Sequence, residues 1–214
     1  YFPGYPSPAR RTPKRMLLMT AFLPVFFLLQ TIHFLGFWLD DLLFPRFRCM
    51  RVREPLFIIG VPRSGTTFLH QVLAEDTDRF TTLTLWELLL APSITERQVV
   101  RIIQRADALL GRPGARLLGW MESRAMANME AIHEVNLCSP EEDYLFLVPI
   151  FSCFLLTHPF PFDKRLWKLT RFDEAFSPAE RRHVMRFYRE CLQRHLYFHG
   201  PEKSILSKNP SFSP

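Results

Sequence analysis

Cysteine is sparse in this chain of 214 residues, and Cys49, Cys138, Cys153 and Cys191 stand too far apart to form a CxxC pair. That spacing gives neither a zinc-finger frame nor a dithiol redox motif, and the four read as reduced, partly buried thiols of a reducing compartment. There is no internal repeat, and no basic helix or aromatic–basic strand signature accompanies the net charge of +6. The basic residues are scattered among Phe and Leu, so nucleic acid is excluded as the partner in favour of an anionic ligand or a membrane surface. A chain that is 48% hydrophobic, with 21 phenylalanines, is not a disordered one. Its length suits one well-packed domain plus an appendage. An initiator methionine is also missing, and the run "SILSKNPSFSP" stops at Pro214, so a fragment of a longer protein is expected.

What is present divides at about residue 54. Tyr1 to Lys14 is a proline-rich, basic lead-in. Met16 to Leu39, "MLLMTAFLPVFFLLQTIHFLGFWL", is long enough to cross a bilayer at roughly 1.5 Å per residue. Pro24, Gln30 and His33 interrupt it, Asp40 and Asp41 follow it, and basic residues on both sides give no orientation. Three arrangements stay open: a helix lying in the membrane surface, a true span, and a greasy helix docked on the protein's own core. A basic connector, "FPRFRCMRVREP", closes this membrane-associating segment, residues 1–54.

Residues 55–214 read as an α/β domain. "PLFIIG" has the pattern of a buried parallel strand, and "TTFLHQVLAED" places Phe68, Leu69, Val72 and Leu73 on one helical face after a tight turn. Ser93 with Glu96 three residues on starts a helix that Gly111 closes, and Ser177 to Gly200 repeats the design. Ser139 before Pro140, with Glu141, Glu142 and Asp143 behind, predicts a further helix with acids stabilising its first turn. "KSILS" predicts a second short buried strand.

Between Gly60 and Thr67 lies a frame, G-x-x-x-x-G-T-T, that differs from a nucleotide-binding loop by one absence: Thr66 stands where the lysine would be. Gly60 and Gly65 permit the turn, the amides of Ser64 to Thr67 converge, and the next helix adds its positive end, which makes an anion cradle. Arg63 supplies the charge from the other side, as a planar fork for a terminal tetrahedral group. No apolar run ends in a magnesium-binding aspartate after the loop, so the frame suits a less charged anhydride that needs no metal.

"PLFIIGVPRSGTTFLHQVLAED" resembles the 5′-phosphosulfate loop of the sulfotransferase family, enzymes that use 3′-phosphoadenosine 5′-phosphosulfate (PAPS). "WELLLAPSITERQ", "SPEEDYLFL", "FYRECLQRHLY" and "LSKNPSFS" extend the resemblance from about Leu42 to the end. It implies a P-loop-kinase-like parallel sheet with a helical insertion, preceded by the membrane-seeking helix. It further implies that Arg63, Ser64, Gly65, Thr66 and Thr67 hold the 5′-phosphosulfate and that Lys208 approaches the bridging oxygen. The base expected from it is Glu87, the one charge in "LTLWELLL", whose pKa burial would raise. His133 is the rival base. The family's 3′-phosphate-binding arginine and serine would lie beyond Pro214, which implies that residues 1–214 alone hold PAPS weakly.

The expected activity is sulfuryl transfer from PAPS to a hydroxyl or amine of a small-molecule or lipid acceptor, with no metal and no nucleic acid. The expected location is a membrane surface, on the cytoplasmic side in a bacterium or in the Golgi lumen of an animal cell. A variant P-loop kinase and a non-catalytic membrane-associated fragment are the alternatives.

Overall fold

The computed structural model describes residues 12–60, 64–126 and 137–209. Two expected site residues, Arg63 and His133, lie outside the described residues. Helix α1 (Pro13–Leu43) runs for 31 residues, capped by the Thr12 side chain, and Pro24 does not stop it. It is the one described helix long and apolar enough to cross a membrane by length and composition. Three elements follow: strand β1 (Leu56–Ile58), helix α2 (Thr66–Ala74) and strand β2 (Phe80–Thr81). Helices α3 (Leu85–Leu89), α4 (Ile94–Leu109) and α5 (Pro113–Met126) come next. After residue 137 come 3₁₀ turns at Asp143–Leu147 and Phe154–Thr157, then the one-turn helices α6 (Lys164–Trp167) and α7 (Phe172–Ala175). The long helix α8 (Pro178–His199) leads into strand β3 (Ser204–Lys208).

Among the described residues the strands form one small parallel sheet in the order β1-β3-β2. Ile58 pairs with Lys208 and Thr81 with Ile205, so β3, last in sequence, is the central strand. The chain is therefore an α/β protein with a small parallel sheet, many helices and an apolar N-terminal helix. Its main core joins Phe26 and Phe37 of α1 to Phe146, Tyr188, Leu192 and Ile205. The α1 segment thus shares a core with the domain that follows it.

Polar contacts fix that docking. The buried Asp40 carboxylate accepts from the Ile94 and Thr95 amides at 2.8 Å each and from Thr95 Oγ1 at 2.8 Å, capping α4 from another part of the chain. Arg194 Nε of α8 donates to the same carboxylate at 3.1 Å. One turn earlier, a Cβ on Gly36 would lie 2.4 Å from Ser93 Oγ, so only glycine lets α1 approach the α4 cap this closely. His33 bridges Glu96 Oε1 at 2.6 Å and the Leu89 carbonyl at 3.2 Å. Docking on the protein's own core, one of the three arrangements open in the sequence, is observed along one face of α1, while Leu17, Leu18, Val25, Leu28 and Trp38 stay exposed.

Two sequence expectations need correction. No α-helix follows Ser139 and Pro140. Pro140 instead forms an antiparallel bridge with Thr84, and the chain winds into 3₁₀ turns. The pairing explains why at its start, since Glu141 N is bonded to the Leu83 carbonyl, and Pro149 stops any helix further on by removing a donor. The apolar face of α2 is also not a buried one, because Phe68, Leu69 and Val72 are exposed and His70 is the buried residue of this helix. Likewise β1 buries Ile58 and leaves Leu56 and Phe57 partly exposed, as befits an edge strand with one neighbour.

Candidate functional site

In parallel sheets ligands bind beyond the carboxyl ends of the strands, where loops and helix N-termini converge. Here that edge gathers Gly60 after β1, the start of α2, and Lys208 with Asn209 at the end of β3. Gly65 has φ +82° and sits immediately before α2, a left-handed position that glycine occupies without strain. A Cβ on Gly60 would meet Thr66 Cγ2 at 3.1 Å and Ser64 Oγ at 3.2 Å, so these two side chains lie close against Gly60. Gly65 at the N-cap has no side chain to cap the first turn of α2, whose amides can serve an anion.

Lys208 closes the cradle. Its Nζ donates to Thr67 Oγ1 at 3.3 Å and pairs with Glu142 Oε1 at 2.9 Å. The structure thus brings together Ser64, Gly65, Thr66, Thr67 and Lys208 from the sequence expectation. It adds Glu142, a partly exposed carboxylate that the sequence had placed on a helix turn.

The neighbours of Lys208 and Glu142 are paired in the same register. Asn209 is buried and donates from Nδ2 to Asp143 Oδ1 at 3.1 Å, and the Tyr188 hydroxyl donates to Asp143 Oδ2. Burial pushes the Asp143 carboxyl up, against the hydrogen bonds that hold it down. The segment before the Asp143–Leu147 turn is held by Glu141 N donating to the Leu83 carbonyl at 2.8 Å, beside the contact of Glu142 with Lys208. Behind Lys208, burial first and the lysine charge second push the His70 imidazole down to about 4, so it is neutral and adds no charge to the cradle.

Glu87 is elsewhere in function as well as place. It is the fourth residue of a capping box, with Oε2 accepting from Thr84 N at 3.1 Å and Thr84 Oγ1 at 2.8 Å. Its Oε1 accepts from His199 Nε2 at 2.5 Å and lies 3.7 Å from Arg97 Nη1. Burial alone would raise its pKa, but the Arg97 charge, the His199 hydrogen bond and the charges of His195 and His199 outweigh it. The carboxyl is held well below the ordinary range, the reverse of the expected upward shift, and this fully bonded, buried carboxylate is not placed to take a proton from an acceptor. The expectation of Glu87 as the base therefore has no support in the geometry.

Glu87, His195 and His199 have metal-ligating side chains, with ligand atoms within 4.8 Å of one another. Arg97 already supplies the cation in this cluster: its Nη1 donates to His195 Nδ1 at 3.2 Å. His195 consequently carries its proton on Nε2, which donates to Thr81 Oγ1 at 2.8 Å. Both ring nitrogens are spoken for, and burial holds this imidazole well below its ordinary pKa. The cluster is a buried charge network that ties α3, α4 and α8 to β2. Burial also pushes the Cys153 and Cys191 thiols up to about 12, which leaves them protonated.

A cleft of about 710 Å³ opens on the other side of the Asp143–Leu147 turn. Tyr144, Leu147, Phe154, Phe172 and Tyr188 line it. Tyr188 is the wall shared with the Asp143–Asn209 pair.

A sequence model described as the sulfotransferase family matches residues 55–212, almost three quarters of the chain, and the protein belongs to that family. Membership makes it a transferase and assigns it to sulfuryl transfer in general terms. No curated protein and no solved structure matches the chain.

Proposed function

We propose that the protein transfers the sulfuryl group of PAPS to a hydroxyl of a hydrophobic acceptor at the carboxyl edge of its parallel sheet. The observation that carries this reading is Lys208: a nearly buried lysine at the end of the central strand, in contact with Thr67 over the free amides of α2. A cation and a helix N-terminus aimed at one point stabilise a tetrahedral anion, and they stabilise it more as charge builds on the departing phosphate. The β1-β3-β2 order, with the anion loop after β1, is in keeping with a P-loop-kinase-like sheet.

The donor's 5′-phosphosulfate rests on Ser64 to Thr67, with Arg63, which lies outside the described residues, as the second cation implied by the family. Lys208 meets the bridging oxygen and neutralises the leaving phosphate. The attacking hydroxyl must lose a proton, and among the described residues Glu142 offers a carboxylate 2.9 Å from Lys208. In this reading the base is Glu142 and not Glu87; His133, the other expectation, lies outside the described residues. Transfer is an in-line displacement at sulfur: the acceptor oxygen bonds to sulfur, the bond from sulfur to the bridging oxygen breaks, and Glu142 takes the proton.

The acceptor in this reading is a lipid or another hydrophobic alcohol because the aromatic cleft beside Tyr188 and the exposed apolar residues of α1 offer apolar surface. Preference for a soluble sugar over every lipid alcohol would overturn that part.

The test of the donor site is titration calorimetry with 3′-phosphoadenosine 5′-phosphate in the absence of magnesium, on wild type, Lys208→Ala and Thr67→Val. A charge-assisted contact is worth about 1.5–3 kcal/mol, so Lys208→Ala is expected to weaken binding by roughly 10- to 100-fold. Binding of ATP with magnesium but not of this nucleotide would return the loop to nucleotide-kinase chemistry. Absence of binding to either would leave a vestigial loop.

A further inference from the structure

Helices α4 and α5 carry a surface that neither the fold nor the reaction accounts for. From Val99 onwards the pair projects from the domain with apolar side chains facing solvent. On α4, Val99, Ile102, Ile103 and Leu110 recur at intervals of one, three and seven residues and so share one stripe, all exposed. On α5, Leu117, Leu118 and Met121 do the same, with Trp120 beside them. The connection presents the most exposed large side chains of the hairpin, Leu109 at 89% and Leu110 at 77%. A helix normally buries its apolar stripe, and an exposed one of this extent marks an interaction surface.

The charges beside the stripe specify the partner. Residues 98–126 contain five arginines, no lysine and two acids. One of the acids, Asp107, is consumed locally: its carboxylate accepts from Gly114 N at 2.7 Å and Ala115 N at 3.0 Å, capping α5 and fixing the hairpin turn. Arg105, Arg112 and Arg116 are exposed around that turn, next to the two leucines. Arg124 stacks over Trp120, its guanidinium carbon 4.5 Å from the ring centroid. Leucines at the tip, arginines at and behind it and a tryptophan two turns along α5 form the pattern of a helix pair that sinks its apolar edge among acyl chains and leaves its cations at the headgroups. Helix α1 packs on α4 at its N-terminus, with Gly36 and Asp40 against Ser93 and Ile94, and leaves Phe34, Leu35 and Trp38 exposed.

We propose that the α4–α5 hairpin is a second membrane-inserting element, specific for an anionic lipid surface, and that with α1 it seats the protein flat on one leaflet. The inference is independent of the chemistry assigned to Lys208 and Glu142. A single docked helix fixes one axis on a surface, whereas two separated insertions fix the orientation of the whole domain.

The test is co-sedimentation of the full chain with phosphatidylcholine vesicles, with and without roughly one third phosphatidylserine. Wild type is expected to partition more strongly onto the anionic vesicles. The pair Leu109→Ser and Leu110→Ser should weaken that partition at least tenfold, and Arg112→Glu with Arg116→Glu should remove the preference for anionic lipid. These side chains are exposed, so the thermal unfolding midpoint in solution should be unchanged in both variants. Acyl-chain brominated lipid should quench a fraction of the tryptophan fluorescence that is missing in Trp120→Phe. Unchanged partition of the leucine pair, or Trp120 beyond reach of the bromines, would overturn the proposal. So would sedimentation velocity showing a wild-type dimer that the leucine pair abolishes while vesicle binding stays the same, since the surface would then belong to a second copy.

Discussion

Asp40→Ala separates a docked α1 from a free membrane anchor. In the docked arrangement Asp40 is fully buried, caps the first two amides of α4, accepts from Thr95 Oγ1 and pairs with Arg194. Loss of one partner of a buried ion pair costs about 3–5 kcal/mol, and loss of a helix cap about 1 kcal/mol. The two are not additive here, because Arg194 keeps Asp41 at 3.2 Å and Glu190 at 3.7 Å. A loss of about 4 kcal/mol is expected, which for a chain of this size lowers the thermal midpoint by roughly 8–16 °C. Asp40→Asn keeps one acceptor for the α4 amides and should lose about half as much. Asp41→Ala is the control: its carboxylate is 41% exposed, its pair with Arg48 is a surface pair worth about 1 kcal/mol at most, and Arg194 keeps Asp40 when Asp41 is lost. The assay is thermal and urea unfolding followed by circular dichroism, in detergent micelles and with vesicles. Equal midpoints for Asp40→Ala and Asp41→Ala would show that α1 contributes nothing to the fold, and the docking argument would fail.

Gly36→Ala tests the same interface by sterics; with a Cβ 2.4 Å from Ser93 Oγ it should destabilise by about 1–3 kcal/mol in the same unfolding assay, and a neutral result would refute the close approach. Glu87→Gln should leave Arg97 buried without its charge partner and cost about 3–5 kcal/mol, whereas loss of transfer with unchanged stability would restore Glu87 as a base. Glu142→Gln should move two readouts in opposite directions: removal of a carboxylate beside the anion site tightens calorimetric binding of 3′-phosphoadenosine 5′-phosphate, while sulfuryl transfer falls by about 100-fold or more. Transfer at the wild-type rate would exclude it as the base. The pH profile of stability has a defined sign. His70 is neutral in the fold with a pKa of about 4 and ionises near 6.5 when unfolded, so stability is flat above about pH 7 and falls as pH drops from 6.5 towards 4. The loss from His70 is about 2 kcal/mol at pH 5 relative to pH 7.5. His195 adds to it in the same direction, and Glu87, depressed in the fold, adds a further loss below about pH 4.5. A flat stability profile between pH 7.5 and 5 would refute the burial of both imidazoles.

Local signals in the sequence were sufficient for the elements and for half of the site. Ser93 with Glu96 and Ser177 with Glu180 announce α4 and α8 because a capping box is a contact within four residues. Thr84 and Glu87 have that same spacing, and the signal for what Glu87 does was present in "TLWE". A lone charge in an apolar stretch reads equally as catalytic, although its compensating cation Arg97 and its imidazole neighbours His195 and His199 stand on later helices. The anion cradle was legible for the same local reason, being a turn between two glycines followed by a helix. Glu142 was not legible. Its place beside Lys208 depends on the β2–β3 register and on the bridge from Pro140 to Thr84, neither of which leaves a mark within either stretch. Nor could period alone reveal that the stripes of α2, α4 and α5 face outward, since an amphipathic pattern names a face without naming what covers it.

The docked α1 and the donor site share a structural element, and this bears on what the enzyme can reach. Helix α8 holds α1 through Arg194, holds the Glu87 network through His195 and His199 on the same turns, and passes through Gly200 into β3, whose last residue is Lys208. A rigid path of one helix, one glycine turn and one central strand therefore joins the apolar N-terminal helix to the lysine of the anion cradle. If α1 and the α4–α5 hairpin rest on a leaflet, the height of Lys208 above the lipid is set by the fold and not by a flexible tether. An acceptor hydroxyl at the headgroup level is then reached at one fixed depth, whereas a soluble acceptor gains nothing from the arrangement. Vesicle-bound enzyme should accordingly sulfate a lipid alcohol whose hydroxyl lies at the headgroup in preference to the same headgroup released into solution. Loss of that preference in Leu109→Ser with Leu110→Ser, with transfer to a soluble alcohol unchanged, is the result that would tie orientation to acceptor choice.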